Sequence, residues 1–497
     1  MKIVTKQYLV LSIGGVIASL LGGCGLMGPT YQKPNIDTPD HFRSITASVQ
    51  VESGVNLSDV SWWTKFNDPT LNQLIDDALM HNNNIQMAIG NIAVAQAQLK
   101  RVHMGWVPTL SAGGFAGVGQ VFNYNSGITD PQLSSIAPND PNANFNFYGA
   151  GLVPNYSLNI FNLIKKADVA KANLEAQRYA KDATRLTVLS QVAGSYFTLL
   201  ALNEQIVEQQ QLIADLTEVV ELGKIQYKHG YISLTDIQQS QEQLEQAKMQ
   251  LPTLENNKTA AENALKVLTN KNPGIIVGAN QLTNIKSDNI IPVSLPSSVL
   301  RNRPDIMQAE AQLKVANANI GVATSNFFPT LDITTPLGLF NTNYANLFNP
   351  SGDFWTLQIA AVMPILNAGL LELVKEKKAD YYVAYYGYVQ TVRLAFADVD
   401  DKFASYNAIN KTALAANSFY EIAKLNQQLN QKNYKSGYSA YSDTLSSKLT
   451  VDNTRLSLTG VKLQQLQALV NLYQALAGGY NYKNTEELNK FGDARDQ

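Results

Sequence analysis

Two kinds of residue in this 497-residue chain have the type and spacing to do chemistry: a lone thiol and a few carboxylates. Cys24 is the only cysteine, which excludes a disulfide framework and any cysteine-rich zinc site. The four histidines, His41, His81, His103 and His229, are scattered and form no HExxH helix. Asp76-Asp77 and Asp400-Asp401 are paired in sequence, but adjacent residues on a helix do not share a face, so neither pair is an acid–base dyad by itself. There is no GxSxG elbow and no Walker A loop. The chain is expected to be no enzyme and to hold no metal or other cofactor. Two further carboxylates stand out by position. Asp236 follows Tyr227-Lys228-His229-Gly230-Tyr231, and Asp443 follows Tyr434-Lys435-Ser436-Gly437-Tyr438, at the same spacing.

The elements that hold these residues follow from composition. Charged residues make up 16% of the chain and apolar ones 45%. The charged share is well below the roughly 25% of an ordinary soluble protein, and Asn, Gln, Ser, Thr and Tyr fill the gap. A net charge of −2 with plentiful aromatics excludes a disordered chain. Thirty-eight Lys and Arg against 40 Asp and Glu, with no basic block, exclude a nucleic-acid binder.

The chain repeats itself. Trp106-Val107-Pro108-Thr109-Leu110 matches Phe327-Phe328-Pro329-Thr330-Leu331, 221 residues on. The two Tyr-x-x-Gly segments, with Asp236 and Asp443, are 207 residues apart. The smaller offset places a longer insertion in the first copy, and Asn123–Pro141, rich in Asn, Pro, Ser and Gly, reads as that surface loop. Each copy is expected to run helix, β-hairpin, very long helix, tight turn, returning helix. The boundaries are 86–285 for the first copy, with its hairpin at about 107–160 and its turn at about 227–236. They are 286–480 for the second, with its hairpin at about 328–366 and its turn at about 434–443. Residues 24–85 precede the repeats and 481–497 form a tail.

Within 354–366, Trp355, Leu357, Ile359, Ala361, Met363 and Ile365 fall on one strand face. In 330–340 the apolar side is Leu331, Ile333, Leu337 and Leu339, opposite Thr330, Asp332 and Thr334. Such alternation over about ten residues fits a membrane β-strand or a soluble sheet with one wet face. The strands near 107–121 and 145–160 are Gly-rich and less clear. The helices decide between the two. Roughly 65 residues run from each hairpin to its turn, about 100 Å of helix, with no proline after Pro154 until Pro252 and none after Pro364. Leu174, Leu186, Leu189, Val192, Leu199, Leu202, Ile206, Leu212, Leu216 and Val220 form the apolar stripe that lays one helix on another. No later stretch has about 18 uninterrupted apolar residues, so any spanning is expected of strands. Two hairpins give four strands, whereas membrane barrels need at least eight, so the chain must oligomerise. Two copies or three would close the sheet.

Two resemblances sharpen these expectations. Lys2 and Lys6 precede an apolar run, Tyr8 to Leu21, and Leu21-Gly22-Gly23-Cys24 then resembles a bacterial lipobox. That implies a signal peptide over 1–23 and a covalent lipid on Cys24. Gly25 is not the Asp that favours inner-membrane retention in enteric bacteria, so the expected destination is the outer membrane. The string RPDIMQAEAQLKVANANIGVATSNFFPTL (303–331), SWWTKFNDPTLNQLIDDALMHNNNI (61–85) and MGPTYQKP (27–34) together resemble TolC/OprM/CusC-type outer membrane factors. The match is nearest to the NodT-type lipoprotein branch, which serves resistance-nodulation-division (RND) efflux pumps.

The resemblance implies a TolC-like mixed α/β membrane protein. It is a homotrimer with a shared twelve-stranded β-barrel and a hollow periplasmic α-barrel of antiparallel coiled-coil helices. It implies a passive duct for drugs, toxic compounds or metal ions, partnered by a periplasmic adaptor, an inner-membrane RND transporter and outer-membrane lipid. A type I protein-secretion duct and a non-conducting envelope lipoprotein are the alternatives. By position, Tyr227, Gly230, Tyr231, Tyr434, Gly437 and Tyr438 fall at the periplasmic tip that meets the adaptor. Three copies of Asp236 or Asp443 near the threefold axis would make an acidic gate ring, and both also suit helix N-termini. Relatives often carry acidic and Arg residues one turn beyond. Here that stretch is Ser446-Ser447-Lys448-Leu449, which withdraws support from an ion pair there. Arg303, Pro304 and Asp305 read as architectural, with Pro304 in a helix first turn and Asp305 suiting the dipole.

Overall fold

The computed structural model describes residues 28–37, 42–43, 57–120, 144–278, 281–285, 302–349 and 352–482. Cys24, the lipobox and the expected loop over 123–141 lie outside them. In chain order the main elements are α1 (Pro69–His81), α2 (Asn83–His103), β1 (Thr109–Gln120), β2 (Asn144–Leu158), α3 (Ile160–Lys228) and α4 (Leu234–Leu268). The second copy follows with α5 (Pro304–Ser325), β3 (Thr330–Thr334), β4 (Leu337–Asn341), β5 (Asp353–Trp355), β6 (Gln358–Val362), α6 (Ala368–Lys435) and α7 (Tyr441–Ala475). The order helix, hairpin, long helix, return helix thus occurs twice. The two compact units of the chain cut across the copies. One draws on Met1–Lys33, Ala95–Leu174 and Gln312–Tyr385, the other on Pro34–Val94, Glu175–Ala311 and Tyr386–Gln497.

The first unit holds the sheet. β1 and β2 pair antiparallel over twelve residues, from Thr109 opposite Asn155 to Gln120 opposite Asn144. β2 then pairs with β3 and β4, and these pair with β6 and β5. β3 and β4 are one strand interrupted at Pro336, which has no N–H to donate. Thr335 N–H still reaches Pro154 O at 3.1 Å and Thr356 N–H reaches Pro336 O at 3.0 Å, so the ladder continues past the break. The second hairpin is therefore four short strands where the alternation predicts two. The faces agree with that alternation. Thr109, Asn155, Thr334 and Gln358 form one polar row across all four strand lines. Tyr156, Ile333 and Ile359 form the next row, on the other face, and Leu158, Leu331 and Ala361 lie on that same face. The outer edges of β1, β5 and β6 carry no partner strand among the described residues.

In the same unit the chain just beyond Cys24 is docked. Gly28 adopts φ +92°, and a Cβ there would come within 2.7 Å of the Gly321 Cα on α5. Asn317 Nδ2 donates to Pro29 O at 2.9 Å, and the Lys314 ammonium sits 5.9 Å from the Tyr31 ring centre.

The second unit is helical. Asp68 caps α1, its Oδ1 accepting from Thr70 N–H at 2.9 Å and Leu71 N–H at 3.0 Å, while its Oδ2 accepts from Tyr196 Oη at 2.8 Å. Trp62 stacks on Tyr473 with ring centres 4.9 Å apart, and both are buried in a core with Trp63, Phe66, Val192 and Phe197. Of the apolar stripe on α3, Leu174, Leu189, Val192, Leu199, Leu202, Leu212, Leu216 and Val220 are buried, and Leu186 and Ile206 are half-buried. One stretch of α3 is apolar enough by length and composition to cross a membrane, a feature the run-length reading misses. Sixty-one per cent of it is buried within the fold.

Candidate functional site

The two helix reversals are built alike. At the first, Gly230 takes φ +77°, its N–H reaches Tyr227 O at 2.9 Å, and Tyr231 N–H reaches Gln226 O at 2.9 Å. At the second, Gly437 takes φ +78°, its N–H reaches Tyr434 O at 2.9 Å, and Tyr438 N–H reaches Asn433 O at 2.8 Å. This is the Schellman ending, which uses a left-handed residue to satisfy the last helical carbonyls. It explains the shared Tyr-x-x-Gly spacing. Tyr231 and Tyr438 project into solvent, 79% and 86% exposed, and Tyr227 and Tyr434 are about half so.

Both aspartates cap the helix that returns. Asp236 Oδ2 accepts from Ser233 N–H at 2.9 Å, and Ser233 Oγ accepts from Asp236 N–H at 3.2 Å, a reciprocal capping box. The Ser233 side-chain and backbone hydrogen bonds hold the Asp236 carboxyl below its usual range. Asp443 Oδ2 accepts from Ala440 N–H at 3.2 Å. Capping thus occupies both groups in one chain.

Beyond the second reversal, α7 is tied to α3. Tyr441 Oη donates to Glu218 Oε1. One to two turns further on, Lys448 Nζ lies 2.6 Å from Asp215 Oδ1 and 3.9 Å from Glu218 Oε2. An ion pair within the chain therefore stands at this level, made by Lys448. Burial would lower the Lys448 pKa, but the hydrogen bond and charge of Asp215 outweigh that and raise it. Higher on the same helices, Thr459 Oγ1 donates to Glu208 Oε1 at 2.9 Å. Burial pushes the Glu208 carboxyl up to about 7. A cavity of about 700 Å³ opens beside Glu204, Glu208, Tyr420 and Arg455.

Arg303 lies apart from these ties. Its Nε and Nη2 hold Asp305 at 3.1 and 2.8 Å, and its Nη1 reaches Asp398 on α6 at 3.1 Å and Ala475 O on α7 at 2.7 Å. Burial works against its charge, and the two carboxylates overcome this and raise its pKa. Pro304 opens α5. The motif joins three helices, which is a structural task. Asp77 is ion-paired with Lys271.

The sequence reading missed Glu218, Tyr441 and Asp215, and named Lys448 without its partners. A signal was present: Asp215 follows Leu212 by three, and Asp452 follows Leu449 by three, so both carboxylates stand on apolar stripes.

Comparison with known proteins fits this geometry. The family model described as outer membrane efflux protein matches residues 74–271 and 295–478. The toluene efflux pump outer membrane protein TtgC of Pseudomonas putida is 27% identical over 492 residues, 98% of each chain. The cation efflux system protein CusC of Escherichia coli is 25% identical over 472 residues, 93% of this chain and 98% of its own. The crystal structure of the Campylobacter jejuni CmeC outer membrane channel superposes with a TM-score of 0.78 at 22% identity. It covers 93% of this chain and 98% of that one.

Proposed function

The chain belongs to the outer membrane efflux protein family, and from that premise we propose that it works as a passive, trimeric duct of a tripartite efflux pump. The observation that carries this is the open sheet. Its rows around Asn155 and Tyr156 alternate polar and apolar faces, Phe115, Phe147 and Phe340 lie further along the polar side, and both outer edges lack partners among the described residues. An unpaired edge in lipid leaves backbone groups without hydrogen bonds, so the edges must meet other copies. Three copies bring twelve strands, with rows such as Tyr156-Ile333-Ile359 toward lipid and Thr109-Asn155-Thr334-Gln358 toward a wet lumen. Cys24 carries the lipid, four residues before the docked Gly28.

The exposed reversal tyrosines suit a periplasmic adaptor, and an inner-membrane RND transporter supplies the energy. Low charge and many amide and hydroxyl side chains suit a lumen that holds no solute tightly. Drugs, toxic compounds and metal ions are the proposed cargo. The ties from Tyr441 to Glu218 and from Lys448 to Asp215 and Glu218 hold the second reversal against α3, and we propose that they favour a closed tip. The test is ion conductance of the purified, lipidated protein in planar bilayers. Stepwise current, rising when Lys448 and Tyr441 are replaced, supports the reading. A sealed bilayer with both wild type and the double variant would remove it.

A further inference from the structure

We propose that Asp215 and Asp452 form a proton-binding site that clasps α7 to α3 when protonated and loosens the two helices when the proton leaves. The clasp is a contact within one chain, so its failure would leave the channel reading untouched.

The geometry starts from burial. Asp215 is 3% exposed and Asp452 5%. Asp452 stands one turn after Lys448 on α7, on the face that Lys448 brings to Asp215, and the Asp215 carboxyl raises the Asp452 pKa across the α3–α7 contact. Asp215 Oδ1 is well served, accepting from Gln211 Nε2 at 2.9 Å and from Lys448 Nζ at 2.6 Å. Asp215 Oδ2 and Asp452 Oδ2 are both buried, and among the described residues neither meets a donor. Two buried carboxylates that face each other cannot both hold charge cheaply. A single proton resolves this, because a carboxylic acid donates to the opposing carboxylate and completes both groups.

The surroundings supply too little positive charge to do the same. On α7, Lys448 is committed to Asp215 and Glu218, and the Arg455 guanidinium donates to Tyr420 Oη on α6 at 3.1 Å, reaching Asp452 only through its field. On α3, Asp215 and Glu218 add negative charge. From α4, the neighbours of the Leu212–Leu216 patch are Leu244 and Ala247, which are apolar. Burial first, then the Asp215 contact, pushes the Asp452 carboxyl up to about 7.

The step balances simply. The O–H bond of Asp452 breaks, its proton goes to solvent, and two carboxylates remain beside Lys448. The folded state then loses what the proton supplied. The Asp452 pKa in the folded chain lies above its ordinary value of 3.8, so the native contact binds more protons than the separated helices between these limits. The clasp is therefore intact in acid, weakens as pH rises through about 7, and stays weak above it.

The test uses full-length protein with Glu208→Gln, which removes a second carboxyl that burial pushes up to about 7. Amide hydrogen exchange is followed along 441–455 and corrected for intrinsic rates. Between about pH 6 and about pH 8, protection in E208Q is expected to fall on the order of tenfold, one pKa unit of lost interaction. In E208Q/D452N it is expected to stay at the acidic level, because an amide still donates to Asp215. Equal pH profiles in the two proteins, or a flat profile in E208Q, would overturn the proposal. Infrared spectroscopy of E208Q alone needs no further variant: a buried protonated-carboxyl band titrating near 7 supports the site, and its absence in acid refutes it.

Discussion

Lys448 Nζ on α7 lies 2.6 Å from Asp215 Oδ1 on α3, and the aspartate it meets is 3% exposed. Among the described residues, the lysine is the one cation that both meets this carboxylate and stands a single turn or two from the second reversal. Removing it strands a buried charge, and that is costlier than the pair itself is stabilising. Lys448 is one-third exposed, so water screens part of the effect. Lys448→Met is expected to weaken the α3–α7 contact by about 1–3 kcal/mol. Asp215→Asn in the same chain is expected to restore most of it. Denaturation of the four proteins of this cycle measures the coupling, and channel open probability is expected to rise in Lys448→Met above wild type and the double variant.

Arg303 is expected to tolerate no replacement that keeps only its charge. Its guanidinium serves Asp305 with two nitrogens and Asp398 and Ala475 O with a third. Lysine has neither the fork nor the reach to do all three. Arg303→Lys and Arg303→Ala are both expected to lower stability, the latter by about 3 kcal/mol. Folded yield and melting temperature check this, and conductance per assembled channel is expected to stay unchanged.

Gly28 is a second narrow point. Alanine there takes an unfavourable φ and drives its Cβ against the backbone of Gly321. Gly28→Ala is expected to release residues 28–31 from α5, giving up the Asn317–Pro29 bond, while leaving the strands paired. Limited proteolysis near the N-terminus is expected to quicken, and strand amide protection to hold.

Glu208 sets a pH dependence of its own. Burial raises its folded pKa to about 7 from 4.5. The folded state holds the proton through that interval and the unfolded state gives it up, so stability declines as pH climbs from about 4.5 to about 7 and the loss is complete above. Glu208→Gln is expected to flatten this slope, leaving the variant more stable than wild type at alkaline pH and no better in acid. Unfolding midpoints across the pH range test the sign.

Much of the architecture was legible because it rests on short-range rules. Alternation over Leu331 and Ile333 and over Ile359 and Ala361 named the faces, and the register pairs those residues with each other. Gly230 and Gly437 marked the reversals because a left-handed turn admits few other residues. Pro336 was visible in the sequence, yet the alternation continued across it and hid the break. The ties between α3 and α7 were out of reach for a different reason. Lys448 and Asp215 are 233 positions apart, and nothing local to Lys448 states which helix will lie beside it. The repeats, plain in sequence, also gave no hint that each compact unit would borrow from both.

The central claim is that three copies close one sheet. Native mass spectrometry of detergent-extracted, full-length protein, with electron microscopy of the same sample, tests it most directly. The account predicts a three-chain particle with a hollow axis and a length beyond the ~100 Å of its longest helices. A monomer or dimer extracted without detergent would contradict it.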